Sequence, residues 1–523
     1  MIGEWFDSMV SIFAPATAAR MAHARTIYKA TSQRSYDAAR QDRSNSSWVT
    51  SNKSADAALL GQGERVRDRA RDLIRNNAYA RGALDAIVAN VVGCGIIPRP
   101  ALDDDEQNRK ISAAWDQWCE HADSTGRLHF TEIQSLACRE MVESGECLVH
   151  YVSDNDPFRV CPLALELIES ERISSERDSA MLIKRARTGN EIRRGVELDS
   201  SGKAVGYWLY PTSPNGIYSI ITQAERLDAR DALHLFRLER IGQTRGVSWL
   251  APAILWLRDL GIYVENELQA SAVASCFSVV IKTVDGGESW GGLAGESGAE
   301  NNDTNGNRFE RLEPAQVAHL MPGEDIEIVN PSRPNGNADP WIALILRSIA
   351  VAMGISYELV SRDYSRTNYS SNRASALEDR RRFRPMQNFL IWHLCQPVYK
   401  EFFASCVMNN VDGFPSMAEF VDDPRKWLKC NWRTPGWEWV DPLKEVQAAT
   451  MAVEELFMSH GDVIESSFGG DLRETWGELE KEEELRKKLK LLKAAEKAPP
   501  MPAPVPGAPL PPKTVAQPAR SAA

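Results

Sequence analysis

No apolar run in this chain reaches the roughly 20 residues that a membrane span requires. The greasiest stretch, Trp341 to Ile355, is shorter and carries Arg347 in its middle. No membrane-spanning segment is expected. No secretion signal is expected in the first residues either, because Glu4 and Asp7 stand where its basic flank should be. Instead Ile2, Trp5, Phe6, Met9, Val10 and Phe13 recur at helical spacing, which predicts a short amphipathic helix docked on a neighbour rather than on a membrane. The nine cysteines form no close pairs, the pattern of reduced thiols in a cytosolic protein. Excess positive charge is also absent. With 61 Lys and Arg against 72 Asp and Glu, the net charge is −11. That argues against a whole-surface grip on nucleic acid and leaves room for a protein past which DNA slides.

Catalytic signatures are equally scarce. The turn-rich DSSGK (199–203) has neither the upstream glycine nor the following Ser/Thr of a phosphate-cradling loop, and reads as a hairpin connection. His121 and His129 lie near Cys119 and Cys138 without zinc-ligand spacing. His234, between Leu233 and Leu235, reads as a core histidine with its hydrogen bonds met. Asp103, Asp104, Asp105 and Glu106 could suggest a metal site, but acids are expected where a helix begins. There is no nucleophile elbow and no zinc-protease helix. Neither enzyme activity, nor a cofactor, nor a metal is expected.

What is present is a mixed α/β region followed by long helices. A helix is predicted from about Gly63 to Val92, with Arg65, Arg67, Arg69, Arg71 and Arg75 on a solvated or inter-subunit face. Residues 25–60 are expected to lie extended. Further helices are predicted from the acid run to Trp118 and over Phe130–Glu143, and strands over Glu146–Val152, Leu163–Ile168, Gly195–Leu198 and Ala204–Tyr210. Ser248 is expected to cap a long helix in which Leu250, Ile254, Leu257, Leu260, Val264 and Leu268 recur at three- and four-residue steps. Strands around Phe277–Val284, Gln316–Leu320 and Ile326–Val329 flank a Gly- and acid-rich loop. Asp339 and Pro340 then open a helix apolar on nearly every side. A polar loop follows, and a helix from about Ser371 carries Arg373, Arg380, Arg381, Arg382 and Arg384. Pro385 and Pro397 should kink or divide that run. Trp427, Trp432, Trp437 and Trp439 read as core packing. Residues 441–497 look helical, with Glu483–Lys487 and Glu484–Lys488 pairs. Residues 498–523 are Pro/Ala-rich and expected to be disordered.

The order MGISYELV, SRDYSRTNYSSNRAS, arginine-rich helix (353–384) resembles the portal proteins of tailed bacteriophages, specifically the lambda-like group. RDLIRNNAYARGALDAIVANVVGCGIIPRP (71–100), DALHLFRLERIGQTRGVSWLAPAI (231–254) and WVDPLKEVQAA (439–449) are similar to that group's N-terminal region, its lead-in to the first stem helix and the start of its C-terminal helices. The resemblance implies an α+β, mainly helical, ring-forming subunit. Its parts would be an N-terminal arm (1–60), an α/β wing (61–247), stem helix 1 (248–277), a small α/β clip (278–338) and stem helix 2 (339–358). A tunnel loop (359–371), the helical part of the wing (372–440), a helical crown (441–497) and the tail (498–523) would follow. It further implies a homododecamer at one capsid vertex, in the virion after assembly in the host cytoplasm. Its partners would be non-specific double-stranded DNA, the terminase ATPase subunit, capsid or scaffold protein and a head–tail connector. The channel residues would be Arg362, Tyr364, Arg366, Asn368, Tyr369 and Arg373, and the subunit interface Trp341, Leu344, Leu346, Ile349, Leu257, Leu260 and Val264. The rival reading is a metal-dependent phage nuclease using the acid run and the arginines around 380.

Overall fold

The computed structural model describes residues 52–174, 189–214, 223–276, 280–283, 324–327, 338–365, 367–437, 441–468 and 472–488, with a few isolated positions besides. Contacts divide the chain into Met1–Leu60 and Gly61–Ala523. In the first unit, Ala55–Leu59 (α1) is helical rather than extended, because the Ser54 hydroxyl accepts the Ala57 N–H at 3.2 Å and caps it. The expected amphipathic helix over residues 2–13 lies outside the described residues, as does the 498–523 tail.

In the second unit the single helix expected over 63–92 is two, Gly63–Asn76 (α2) and Ala78–Val91 (α3). Asn77 is extended, and its side chain accepts the N–H groups of Tyr79 and Ala80 at 3.0 and 3.1 Å, so a new helix starts there. Strand Ile97–Pro100 (β1), helices Asp105–Glu120 (α4) and Phe130–Glu143 (α5), and strands Glu146–Ser153 (β2) and Leu163–Ile168 (β3) follow. Next come Glu191–Arg193 (β4), Val196–Leu198 (β5), Ala204–Leu209 (β6), Glu225–Asp228 (β7) and Ala232–Phe236 (β8). One antiparallel sheet has the order β3-β2-β8, with Leu148 opposite Ile168 on one side and His234 on the other. The other runs β4-β5-β6-β7 as a meander, its β5–β6 turn being the expected hairpin. A small core that includes Leu148, Val196, Tyr207 and Leu209 lies between the two.

Helix Ile254–Cys276 (α6) begins later than the predicted Ser248. The Ser248 hydroxyl accepts the Leu250 N–H at 3.2 Å, but Pro252 disfavours helical geometry at the residue before it, so turns intervene. At 23 residues α6 is about 35 Å long. Strands Val280–Thr283 (β9) and Glu324–Glu327 (β10) pair antiparallel, Ile281 opposite Ile326; the expected strand at 316–320 lies outside the described residues.

Helix Ala338–Met353 (α7) stops short of the expected residue 358. Gly354 (φ +70) turns the chain left-handed, and an added Cβ there would run into the Arg382 guanidinium. Ser356 then caps the short helix Tyr357–Ser361 (α8). Helix Tyr369–Leu390 (α9) passes through Pro385 undivided; the irregularity is a π-helical turn, Ile391–Cys395, just before Pro397 in the first turn of Gln396–Met408 (α10). Helices Met417–Asp422 (α11) and Pro424–Trp427 (α12) lead to Cys430–Arg433 (β11), which pairs with β1. The predicted helical region is Pro442–Glu454 (α13), His460–Phe468 (α14) and Leu472–Lys488 (α15), with Lys487 and Glu483 paired at 3.1 Å.

One hydrophobic core runs through α2–α5, β2, β3, the root of α6, α7, α9 and α10. At its centre Trp115 meets Phe402 edge-on at 5.0 Å and Phe130 at 5.2 Å, and Trp118 and Tyr399 pack alongside. Each such ring, fully buried, contributes about 1.5–3 kcal/mol. Trp427, Trp432 and Trp437 flank this core as expected, and the Trp432 and Trp437 indoles donate to Gln396 and Asn90 at 2.7 and 3.1 Å. Trp439 lies outside the described residues.

Candidate functional site

Two surfaces hold the residues singled out by sequence: the α6–α7 pair and the segment joining α8 to α9. The pair divides them. Leu257 and Leu260, and on α7 Leu346 and Ile349, are buried in the chain's own core. The expectation that all four face a neighbouring copy is corrected: a helix apolar on every side gives no sign of which side its own chain uses. Trp341 and Leu344 remain about half exposed and Val264 a little less so, while Val351 is 81% and Leu268 71% exposed. On α7 the exposed residues recur at helical spacing as one face, interrupted only by Arg347, whose guanidinium lies 5.3 Å from the Tyr357 ring centroid.

The loop expected over 359–371 shrinks to 362–368, because α8 and α9 claim its ends. It is internally built. Arg362 is left-handed (φ 57), and the Asp363 carboxylate accepts the Ser365 N–H at 2.9 Å and hydroxyl at 2.6 Å. Thr367 donates its hydroxyl to the Tyr364 carbonyl at 3.0 Å. Asn368 caps α9, accepting the Ser371 N–H at 2.8 Å. Tyr364 is half exposed, and Arg366 lies outside the described residues. Tyr369 and Arg373 are helical, not loop, residues and are tied to α13: the Lys444 ammonium lies 5.3 Å from the Tyr369 ring centroid, and Arg373 meets Glu445 at 3.3 Å. Arg381, Arg382 and Arg384 are exposed, Arg382 also donating to the Gly354 carbonyl at 2.9 Å, whereas Arg380 is half-buried 5.8 Å from the Trp437 ring centroid.

A third feature escaped sequence reading. Glu146, at the start of β2, is buried and accepts the Arg245 guanidinium at 2.7 and 2.8 Å, the Gly246 N–H at 2.9 Å and His234 Nε2 at 3.0 Å. Arg245 also donates to the Arg194 and Ser170 carbonyls at 2.8 and 3.0 Å. Burial alone would raise the Glu146 carboxyl, but Arg245 and the His234 hydrogen bond hold it well below the ordinary carboxylate range. Burial likewise depresses His234. A Cβ on Gly145 would overlap the Val247 backbone, so only glycine lets the segment before α6 lie this close to β2. Arg67 and Arg71 turn into the same region rather than outward: Arg67 donates to Ser170 at 3.3 Å, and Arg71 pairs with Glu140 at 2.7 Å and with Glu171.

The acid run serves α4. Asp104 accepts the Glu106 N–H at 2.9 Å as its cap, and Asp105 meets Arg473 at 2.9 Å. Among the described residues no three His, Cys, Asp or Glu side chains come together as a metal site. His129 caps α5.

Comparison with known proteins gives a match of residues 41–387 to the family described as phage portal protein, lambda family. Portal protein B of Escherichia phage lambda is 26% identical over 468 residues, covering 82% of this chain and 86% of that protein. The portal protein of Escherichia phage N15 is also 26% identical, with 82% and 87% coverage. The probable portal protein of Halomonas phage phiHAP-1 is 27% identical over 448 residues, with 82% and 83% coverage. Among solved structures, the neck of a native gene transfer agent particle shares 15% identity at a TM-score of 0.39, over 76% of this chain and 93% of that one.

Proposed function

The chain belongs to the lambda family of phage portal proteins, and from that premise we propose how its surfaces build and line a DNA-conducting ring. It is a portal protein of the phage capsid, forming a ring that serves DNA packaging. The family is structural and not known for catalysis.

The finer assignments are these. Twelve copies close the ring. Residues 61–247 and 372–440 form the wing, α6 and α7 the stem, 278–338 the clip, and 441–497 the crown. The terminase ATPase docks on the clip, a head–tail connector and capsid or scaffold protein engage the outer surface, and assembly takes place in the host cytoplasm before the ring is built into the virion.

The single observation that carries the ring geometry is the apolar face that one chain leaves open on α6 and α7: Trp341, Leu344 and Val351 on one helix, Val264 and Leu268 on the other. Contiguous exposed apolar surface marks an interaction site, and a head-to-tail contact repeated around an axis closes into a ring. The stem interface is therefore kept for Trp341, Leu344 and Val264, while Leu257, Leu260, Leu346 and Ile349 hold the subunit together.

Loop 362–368 lines the narrow part of the channel. Arg362 and Arg366 meet phosphates transiently, and Tyr364 offers a flat face to a passing duplex without reading its sequence. Asn368, Tyr369 and Arg373 fix where the loop springs from α9. Replacing residues 364–367 by Gly and Ser, with Asn368 and Tyr369 kept, should leave ring formation intact while heads protect less full-length DNA from nuclease. Heads filled normally and stably would show that the loop does not touch the genome. Against the rival nuclease reading, Asp104 caps α4 and Asp105 pairs with Arg473.

A further inference from the structure

A cavity of about 380 Å³ opens between the end of α3, α5, α9 and the segment before α6. Its apolar wall includes Met141, Trp249 and Phe389, and Arg237, Arg381 and Arg382 stand in its lining. An apolar cavity of about 150 Å³ already admits benzene, so this one has room for two adjoining side chains. The Trp249 indole N–H is buried without an acceptor among the described residues, and the Arg237 guanidinium lies 5.2 Å from the indole ring centroid. Arg237 and Arg381 each meet one exposed carboxylate loosely, Glu239 at 3.7 Å and Glu378 at 3.5 Å, and Arg382 donates one N–H to the Gly354 carbonyl. The guanidinium groups therefore keep further donors. With the apolar wall and the unmet indole they select a ligand that is apolar at its tip and carboxylate-bearing beside it.

The same chain displays that chemistry elsewhere. Helix α13 ends in Glu454, and Glu455, Leu456 and Phe457 follow. Leu456 is held left-handed (φ 61) while the Phe457 N–H donates back to the Ala452 carbonyl at 2.8 Å. A left-handed leucine is uncommon, and here it turns two large apolar residues into solvent: Leu456 is 90% and Phe457 82% exposed, next to two exposed carboxylates. The turn and the cavity are complementary in shape class and in charge, and each stands open in the subunit. Two complementary surfaces left apart on one chain are what a head-to-tail contact between copies uses.

We infer that the Glu454–Phe457 turn of one copy seats in the arginine-lined cavity of the next, a contact that adds to the ring reading and rests on it. Phe457 replaced by p-benzoylphenylalanine should, on illumination of assembled rings, cross-link one copy to residues 381–390 or Trp249 of another, as mass spectrometry would locate. Cross-links within a single chain, to any other region, or to nothing would overturn the contact. Leu456→Asp with Phe457→Asp should melt as a subunit like the unaltered chain, since both side chains are exposed, while ring dissociation rises at least tenfold in midpoint concentration. An unchanged midpoint would also overturn it. An unaltered protein that never forms rings would sink the ring reading itself, and would be seen before any variant was compared.

Discussion

In the body of the subunit Trp115 touches Trp118, Phe130, Tyr399 and Phe402, and all five rings are buried. Along α6 beyond Gly261, Ile262, Val264 and Leu268 meet solvent, as do Trp341, Leu344 and Val351 on α7. Both regions are apolar, aromatic in the first and largely aliphatic in the second, and both are helical. The difference lies in the partners available to each. α4, α5 and α10 pack on one another, so their aromatic side chains find partners within the chain. α6 leaves the body after its root, where Ile254, Leu257 and Leu260 are buried, and α7 buries only one side. A single chain completes the first region and leaves the second unfinished, and an oligomer is the economical way to finish it.

Changes inside the body should produce the largest loss of subunit stability. Glu146→Ala leaves the Arg245 guanidinium buried without its carboxylate and should destabilise the folded subunit by about 3–5 kcal/mol. Phe402→Ala should have an effect of similar size through the cavity it opens, about 3–5 kcal/mol. Ile349→Asp belongs in this class too, because that side chain is buried in the subunit's own core. Chemical denaturation of each variant measures the effect, and a loss below about 1 kcal/mol for Glu146→Ala would mean that the buried pair does not join the segment before α6 to the sheet.

A smaller effect is expected in acid. The hydrogen bond from His150 and the Arg172 guanidinium hold the Glu166 carboxyl at about 2, against the opposing pull of partial burial. A carboxyl lowered in the fold stabilises it fully above the unfolded value of about 4.3 and loses that contribution as pH falls toward 2. Glu146 acts with the same sign. Glu166→Gln should therefore flatten the decline of melting temperature below about pH 4.3 while changing little at pH 7 beyond a uniform offset. An acid limb as steep as that of the unaltered chain would place the responsible carboxylates elsewhere.

The same contrast accounts for what was legible in the sequence. Phe130–Glu143 and Leu163–Ile168 have the residue bounds read from periodicity, because each carries a clear period and is bounded by turn residues. The family was legible from strings that follow one another in order. The division at Asn77 was not, since an Asn-Asn pair inside a helical pattern is locally neutral until a side chain commits to capping. Nor was the joint at Glu146: its partner Arg245 lies 99 residues away and carries no local signal. The burial of Leu346 and Ile349 was hidden for a third reason. On a helix apolar all round, only the neighbouring elements decide which side is core.

Substitutions on the open face should disturb the subunit least. Val351→Asp and Leu268→Asp should each alter its stability by no more than about 0.5 kcal/mol. Their consequence is expected between copies, where the two classes of variant part company most clearly. The decisive measurement is the mass in solution, with electron microscopy of the same sample, of the unaltered chain beside the Val351→Asp, Leu268→Asp double variant. The account predicts closed rings with an axial channel for the first, and for the second single subunits that remain folded, with a cooperative thermal transition of their own. Single subunits from the unaltered chain at every concentration, or closed rings from the double variant, would contradict it.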